Sequence, residues 1–223
     1  MKKVLFQLLL AVLAVSSCAT AKYYGGFTPE AARQDMVLLG PVSDIYYLDQ
    51  NNNESFSDTL SGISETLIAG LVKELGVPVS DRVELSADEA EEAVVFMRYL
   101  ANPEVKHPDA FPIPKALRAA IEAQGCRYGL ILYAKGMTRD VKGYRKDAVK
   151  GALITVATAV LTLGTAVVVA TADRYSSQIT AAVLDAETDR VVFINKIEPE
   201  QNDPLHADPV RKQLRKLLKD YLK

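Results

Sequence analysis

Residues 174–197 read RYSSQITAAVLDAETDRVVFINKI, in which two strand-like runs flank the turn-rich sequence DAETD. Apolar and β-branched runs on either side of such a turn are typical of a β-hairpin. Three runs upstream are short enough to be further strands: MVLLGPV at 36–42, VPVSDRVEL at 77–85 and CRYGLILYAKG at 126–136. The sequence therefore predicts a sheet that combines an antiparallel hairpin with strands reached by longer connections.

Helical periodicity separates these predicted strands. Ser57 is a candidate N-cap for the first helix and Gly76 lies just past its end, with an apolar stripe at Leu60, Ile63, Leu67, Leu71 and Leu75. The residues Ser86 and Glu89 have the spacing of a capping box, which begins a second helix that ends at Ala101. Both helices are predicted to pack an apolar face on the sheet.

A short third helix and a C-terminal helix complete the pattern. The third is predicted from Pro114 to Gln124 with Gly125 as its stop, and its inward residues are Leu117, Ala120 and Ile121. The C-terminal stripe consists of Val210, Leu214, Leu217, Leu218 and Tyr221. The element order β-α-β-α-β-β-β-α predicts an α/β fold, a mixed-sheet α+β sandwich of two or three layers, with an inserted apolar helix or helical hairpin.

The N-terminus has the features of an export signal. Lys2 and Lys3 precede the apolar run 4–15, which is too short to span a bilayer, and small residues follow it. The run Val15–Cys18 resembles the lipobox of bacterial lipoproteins, in which the cysteine carries the lipid. We therefore predict a signal peptide at 1–17, lipidation at Cys18, and a tether at 18–28; the alternative is a plain signal peptide cleaved a few residues later.

The remaining chain, 29–223, is predicted to be one domain. The protein has 223 residues, 49% of them apolar, which is enough for a globular core, and its net charge of −2 gives no overall attraction to nucleic acid. With Cys18 lipidated, Cys126 is left as a single cysteine, so an internal disulfide cannot form. The fold must therefore depend on its apolar core.

An apolar insertion at about 144–175 stands out within this domain, since residues 151–172 carry no charge. Four threonines recur at helical spacing and predict a weakly polar stripe that contacts the membrane or a second helix: Thr155, Thr158, Thr162 and Thr165. Basic and tyrosine residues at both ends favour a membrane interface. A helix buried in the core and a β-structured insertion are the two alternatives.

The order of elements resembles a family of bacterial outer-membrane lipoproteins that includes the curli secretion channel and the activator of penicillin-binding proteins. Besides the lipobox, the similar segments are RYGLILYAKG at 127–136, TAAVLDAETDRVVFINK at 180–196 and DPVRKQLRKLLKDYL at 208–222. The resemblance covers about residues 36–223. It implies a protein without enzymatic activity, lipid-anchored to the outer membrane on its periplasmic face, that assembles, binds envelope partners or forms a secretion pore.

The residues themselves indicate no catalytic or metal site. His107 and His206 lie in loop-like stretches without the spacing of metal ligands, and Ser176 and Ser177 lack the glycines of a nucleophile elbow. The acidic residues of 84–92 fit the first turn of a helix, where they favour its dipole. No cofactor, metal, small-molecule substrate or nucleic-acid partner is predicted.

Three classes of function follow from these observations. The first is a non-enzymatic lipoprotein that assembles or regulates an envelope complex, anchored in membrane lipid through Cys18. The second is a self-associating subunit of an oligomeric secretion pore or export complex, with residues 151–172 as the membrane-contacting segment. The third is a hydrolase of unrecognised type, which the residues favour least.

Overall fold

A computed structural model of the protein describes residues 21–142 and 173–222. The predicted lipidation site Cys18 and the threonine stripe Thr155, Thr158, Thr162 and Thr165 lie outside the described residues. The described helices are α1 Pro29–Ala32, α2 Asp58–Glu74, α3 Ala87–Ala101, α4 Lys115–Ala123 and α5 Ala207–Leu217. The described strands are β1 Lys22–Tyr23, β2 Met36–Leu39, β3 Val42–Leu48, β4 Glu54–Phe56, β5 Arg82–Val83, β6 Tyr128–Arg139, β7 Tyr175–Asp185 and β8 Arg190–Lys196.

These strands form one mixed sheet in the order β1-β8-β7-β6-β2-β5, with β3 also pairing with β6, and β4 with β3. The two longest strands, β6 and β7, lie at its centre and pair antiparallel from Tyr128 opposite Asp185 to Thr138 opposite Tyr175. On its other side β6 pairs parallel with β2 and β3. The mixed sheet and the β7–β8 hairpin confirm the predicted fold class.

One strand of the sheet is interrupted at Gly40 and Pro41. The strand predicted at 36–42 is confirmed as β2, which ends at Leu39, and the chain then resumes as β3, which continues along β6 from Val42 opposite Tyr133. The sequence does not predict β3, because Gly-Pro is typical of a strand end; here Pro41 removes one N–H donor without turning the chain away from the sheet. The strand predicted at 77–85 is present as β5, only two residues long, whereas β1 and β4, with two and three residues, are too short to show a periodicity.

Helices cover both faces of the sheet and make a three-layer sandwich. One core lies under α2 and α5, and includes Ile68, Leu71, Phe193 and Leu214. The other lies under α3 and α4 and includes Met97, Leu100, Leu117 and Ile121. The C-terminal stripe predicted from the sequence is confirmed, because Val210, Leu214, Leu217, Leu218 and Tyr221 are all buried.

The predicted helix ends are confirmed by the structure. The Ser57 hydroxyl accepts a hydrogen bond from the Leu60 N–H at 3.3 Å, and the capping box between Ser86 and Glu89 has both of its hydrogen bonds. Gly76 and Gly125, which follow α2 and α4, have φ values of +68° and +66°, a conformation that a glycine adopts without strain. Local hydrogen bonding and backbone freedom thus fix where these helices end.

The buried face of α2 differs from the predicted stripe. Ile63 is 48% exposed, whereas Ser61 and Ser64 are buried together with Ile68. The stripe prediction is therefore wrong at Ile63. The physical reason is that the N-terminal half of α2 lies beside a strand edge, where hydroxyl groups can accept hydrogen bonds from backbone N–H groups.

Two parts of the chain leave the sheet toward the same end, which we call the insertion end and define by the pair Thr138 and Tyr175. Strand β8 runs toward this end, from Arg190 beside Asp185 to Lys196 beside Thr180. Because β1 is antiparallel to β8, the chain that precedes Lys22 also points toward the insertion end. The pairing of Lys22 and Tyr23 with β8 falls within 18–28, the range predicted to be a tether.

Within 21–142 and 173–222, none of the helices combines the length and the apolar content needed to cross a bilayer.

Candidate functional site

A cleft of about 530 Å³ lies at the edge of the sheet. Helix α2 from one face and helix α3 from the other flank the start of β3. We call it the edge cleft, and its polar lining residues are Ser43, Asp44, Asp58, Ser61, Glu65, Glu91 and Arg98. It lies on the stretch of sheet edge between two short strands. One is β5, which pairs with β2, and the other is β4, which pairs with the C-terminal part of β3.

Groups of α2 and of its N-cap, rather than a strand, satisfy the backbone of β3 at this edge. The Ile45 N–H donates to the Ser61 hydroxyl at 3.1 Å, and the Ile45 carbonyl accepts from the Ser57 N–H at 3.0 Å. The Ser43 N–H donates to the Glu65 carboxylate. An edge whose donors are already bonded offers little to a strand that would pair with it, so the edge cleft is suited to side chains of a ligand.

The floor of the edge cleft is a buried carboxylate, Asp44, which is 3% exposed. Arg98 binds it with two nitrogens, Nε at 3.1 Å and Nη2 at 2.9 Å, and the Tyr133 hydroxyl donates to it at 2.6 Å. The hydrogen bonds to Asp44 raise the pKa of the Arg98 guanidinium, and burial together with the bond to Asp44 raises the pKa of Tyr133. With three donors on it, Asp44 is a structural anion and is poorly suited to act as a general base.

A second carboxylate, Glu65, lies on the α2 wall of the edge cleft. Burial raises the pKa of the Glu65 carboxyl, and the opposing effects of the Ser43 N–H and of Arg82 are smaller. The Ser43 hydroxyl beside it is buried and has no hydrogen-bond partner among the described residues. A buried hydroxyl without a partner is unfavourable, so this wall has unused acceptor capacity.

The rim of the edge cleft is apolar. Phe56 is 49% exposed and Val95 is 59% exposed, although both are large hydrophobic side chains. The Phe56 ring packs edge-on against Tyr46, with 5.9 Å between the ring centroids. The edge cleft therefore combines an acidic interior with an apolar margin, a combination found at sites that bind partly apolar ligands.

The histidines, Ser177 and Cys126 lie at helix starts, in the core or beside other side chains of the fold, and none of them lines the edge cleft. His107 and His206 occupy the positions just before a 3₁₀ turn and before α5. The Ser177 hydroxyl donates to Gln213 at 2.9 Å in the core, and the Cys126 sulfur lies 3.4 Å from the Ser80 hydroxyl. Among the described residues, no three metal-ligating side chains come together.

The acidic residues of 84–92 have different positions and partners in the structure. Asp88 and Glu89 lie in the first turn of α3, in line with the interpretation of this run as a helix start, whereas Glu84 precedes the helix and forms an ion pair with Arg82. Glu91, in contrast, lines the edge cleft. The edge cleft is not predicted from the sequence; the signal that could have found it is Asp44, a carboxylate that with Ser43 interrupts the apolar and aromatic residues of the strand VSDIYYL.

No protein-family model and no curated protein sequence matches this chain. Solved structures that are similar to it include the PelC dodecamer from Paraburkholderia phytofirmans, with a TM-score of 0.41, 13% identity, and coverage of 92% of this chain and 97% of that one. A point variant of that dodecamer in another space group has a TM-score of 0.39 and 14% identity, with coverage of 89% of this chain and 97% of that one. The LpoB C-terminal domain from Salmonella enterica has a TM-score of 0.31 and 12% identity, with coverage of 80% of this chain and 87% of that one. Likenesses of this degree do not carry a function from one protein to another, and the envelope-lipoprotein resemblance stays a prediction.

Proposed function

We propose that the protein is a non-enzymatic lipoprotein of the cell envelope, anchored by a lipid on Cys18 at the periplasmic face of the outer membrane, that assembles or regulates an envelope complex. The observation that carries this proposal is the direction of the chain at Lys22. The chain enters β1 from the direction of the insertion end, where β6 ends and β7 begins. An anchor at Cys18 would therefore turn that end of the sheet toward the membrane.

Chain length supports the same orientation. The four residues from Cys18 to Lys22 span at most roughly 14 Å, at about 3.5 Å per residue. Lys22 is level with Ile131 across the sheet, and from there β6 continues for about 23 Å to Thr138, at roughly 3.3 Å per residue. The tether is roughly 9 Å shorter than this distance, so a lipid at Cys18 would bring the insertion end of the sheet into contact with the bilayer.

The lipid anchor is tested with the two cysteines of the chain. Cys18→Ala is expected to abolish incorporation of labelled palmitate and to release the protein from washed membranes, because a diacylated cysteine supplies the two chains that stable anchoring needs. The matched control is Cys126→Ala, which leaves the lipobox unchanged and is expected to keep both properties. Retained palmitate on the Cys18→Ala variant would contradict the proposal.

A second candidate function is a subunit of an oligomeric pore or export complex, with residues 151–172 as the membrane-contacting segment. The observation that favours it is the length of the β6–β7 pair, which forms a stem of eleven paired positions that ends at the insertion end. Such a stem would hold a membrane-contacting segment in a fixed place relative to the domain.

This second candidate predicts that substitutions on one face of the apolar segment disturb oligomer formation more than substitutions on the other face. Thr158→Leu and Thr162→Leu are expected to reduce detergent-resistant oligomers several-fold, because small residues let two helices approach closely. Val160→Leu and Leu161→Val, which preserve apolar character on the other face, are expected to change the oligomers little. Equal sensitivity at residues 158, 160 and 162 would instead follow the alternation of a strand, and would refute the helix.

A further inference from the structure

We infer that the edge cleft binds a basic side chain, lysine or arginine, that a partner protein presents between apolar residues. The inference rests on the proposed function in one respect, that the protein acts by binding another protein of the envelope. It adds the place of binding and the chemistry of the bound segment.

Charge is the first reason. The edge cleft is lined by the carboxylates of Asp44, Asp58, Glu65 and Glu91 and by the single guanidinium of Arg98. Arg98 is already committed to Asp44, with contacts of 2.9 to 3.1 Å. The lining therefore has an excess of negative charge, and a cation from outside would be attracted to it.

The Ser43 hydroxyl is the second and independent reason. Ser43 is 3% exposed and lines the edge cleft, and its hydroxyl has no hydrogen-bond partner among the described residues. It lies beside the backbone N–H that Glu65 accepts, so a hydroxyl oxygen and a carboxylate occupy the same wall. An ammonium has three N–H donors and a guanidinium has five, and either can donate to both groups at once.

The apolar rim identifies the ligand as part of a protein. The rim side chains Phe56 and Val95 are about half exposed, and a free metal ion or a small polyamine would leave them uncovered. Residues on either side of a bound lysine or arginine can cover them, as the apolar margin of an interface covers a central charge. A metal ion is also a poor fit, because no three metal-ligating side chains cluster among the described residues.

The experiment uses the full-length lipoprotein in neutral detergent and two synthetic peptides of identical length. The first is acetyl-Gly-Leu-Arg-Val-Gly-amide, and the second replaces arginine by citrulline, which has almost the same shape and no charge. Wild-type protein is expected to bind the arginine peptide at least tenfold more tightly, measured by calorimetry at low salt. Equal affinity for the two peptides would overturn the inference.

Variants assign the binding to the edge cleft. Glu65→Gln is expected to weaken binding of the arginine peptide about tenfold without changing the citrulline peptide, since the amide oxygen can still accept from the Ser43 N–H. Phe56→Ala is expected to weaken both peptides. Glu122→Gln, at an exposed carboxylate paired with Arg118 on α4, is the matched control and is expected to have no effect. An arginine-peptide affinity unchanged by Glu65→Gln would refute the site.

Two further readouts separate the alternatives. Sedimentation of wild type and Glu65→Gln without peptide tests whether the bound cation belongs to a second copy of this chain; a self-association that Glu65→Gln abolishes would overturn the assignment to a different partner. Palmitate incorporation is measured on the same samples. A lipidated protein that ignores both peptides disproves the edge-cleft inference alone, whereas peptide binding without lipidation disproves the proposed anchoring alone.

Discussion

Phe193→Ala is expected to lower the free energy of unfolding by about 3–5 kcal/mol, the usual cost of removing a fully buried aromatic side chain. Phe193 is 1% exposed, and its ring lies 5.4 Å from that of Tyr221 and 5.1 Å from that of Tyr23. These contacts join the strand β8 to the C-terminal end of the chain and to β1. Urea denaturation followed by circular dichroism measures the change.

Phe56→Ala is the matched control for this prediction. It removes the same side chain from the rim of the edge cleft, where Phe56 is 49% exposed. Burial is then incomplete and no sealed cavity is left, so the expected loss is below about 1 kcal/mol. Similar losses for Phe56→Ala and Phe193→Ala would mean that the core is not where the structure places it.

Arg98→Met is expected to destabilise the protein by about 3 kcal/mol, the low end of the roughly 3–5 kcal/mol range for a broken buried ion pair. The variant leaves the carboxylate of Asp44, whose side chain is 4% exposed, with only the Tyr133 hydroxyl as a side-chain donor. The low end applies because the Arg98 side chain is 56% exposed, which lets water reach the carboxylate once the guanidinium is gone. Urea denaturation measures this change as well.

A combined variant tests whether the loss comes from the stranded charge. Asp44→Leu, Arg98→Met and Tyr133→Phe together remove the anion and both donors, and are expected to recover most of the stability, since apolar replacement of a buried polar network is often close to neutral. If the combined variant loses as much free energy of unfolding as the three single variants added together, the three residues act independently and Asp44 is not the centre of the network.

The sequence predicts those parts of the fold that depend on neighbouring residues. The cap at Ser57, the stop at Gly125 and the apolar stripe that ends at Tyr221 all involve residues within a few positions of one another, and all are confirmed. The continuation of the strand past Pro41 depends instead on β6, about ninety residues further along the chain. No local pattern contains that information.

The edge cleft could not be predicted for the same reason. Asp44, Glu65 and Arg98 belong to a strand and to two helices on opposite faces of the sheet, and only the packed sandwich brings them to one place. Helical periodicity alone assigns Ile63 to the inside of α2 and the serines to the outside. Hydrogen bonding of Ser61 to the edge of β3 reverses that assignment, because a backbone N–H that loses water needs an acceptor.

The way α2 closes the edge of β3 also bears on how the protein would aggregate. The groups that bond the outer backbone edge at Ser43 and Ile45 belong to Ser57, Ser61 and Glu65, at the N-cap and in the first two turns of α2. Helix ends fray at far lower free energy than a domain unfolds. Fraying of these two turns would uncover a strand edge in an otherwise native molecule, so the stability of one helix end, rather than of the whole domain, would set the rate of edge-to-edge association.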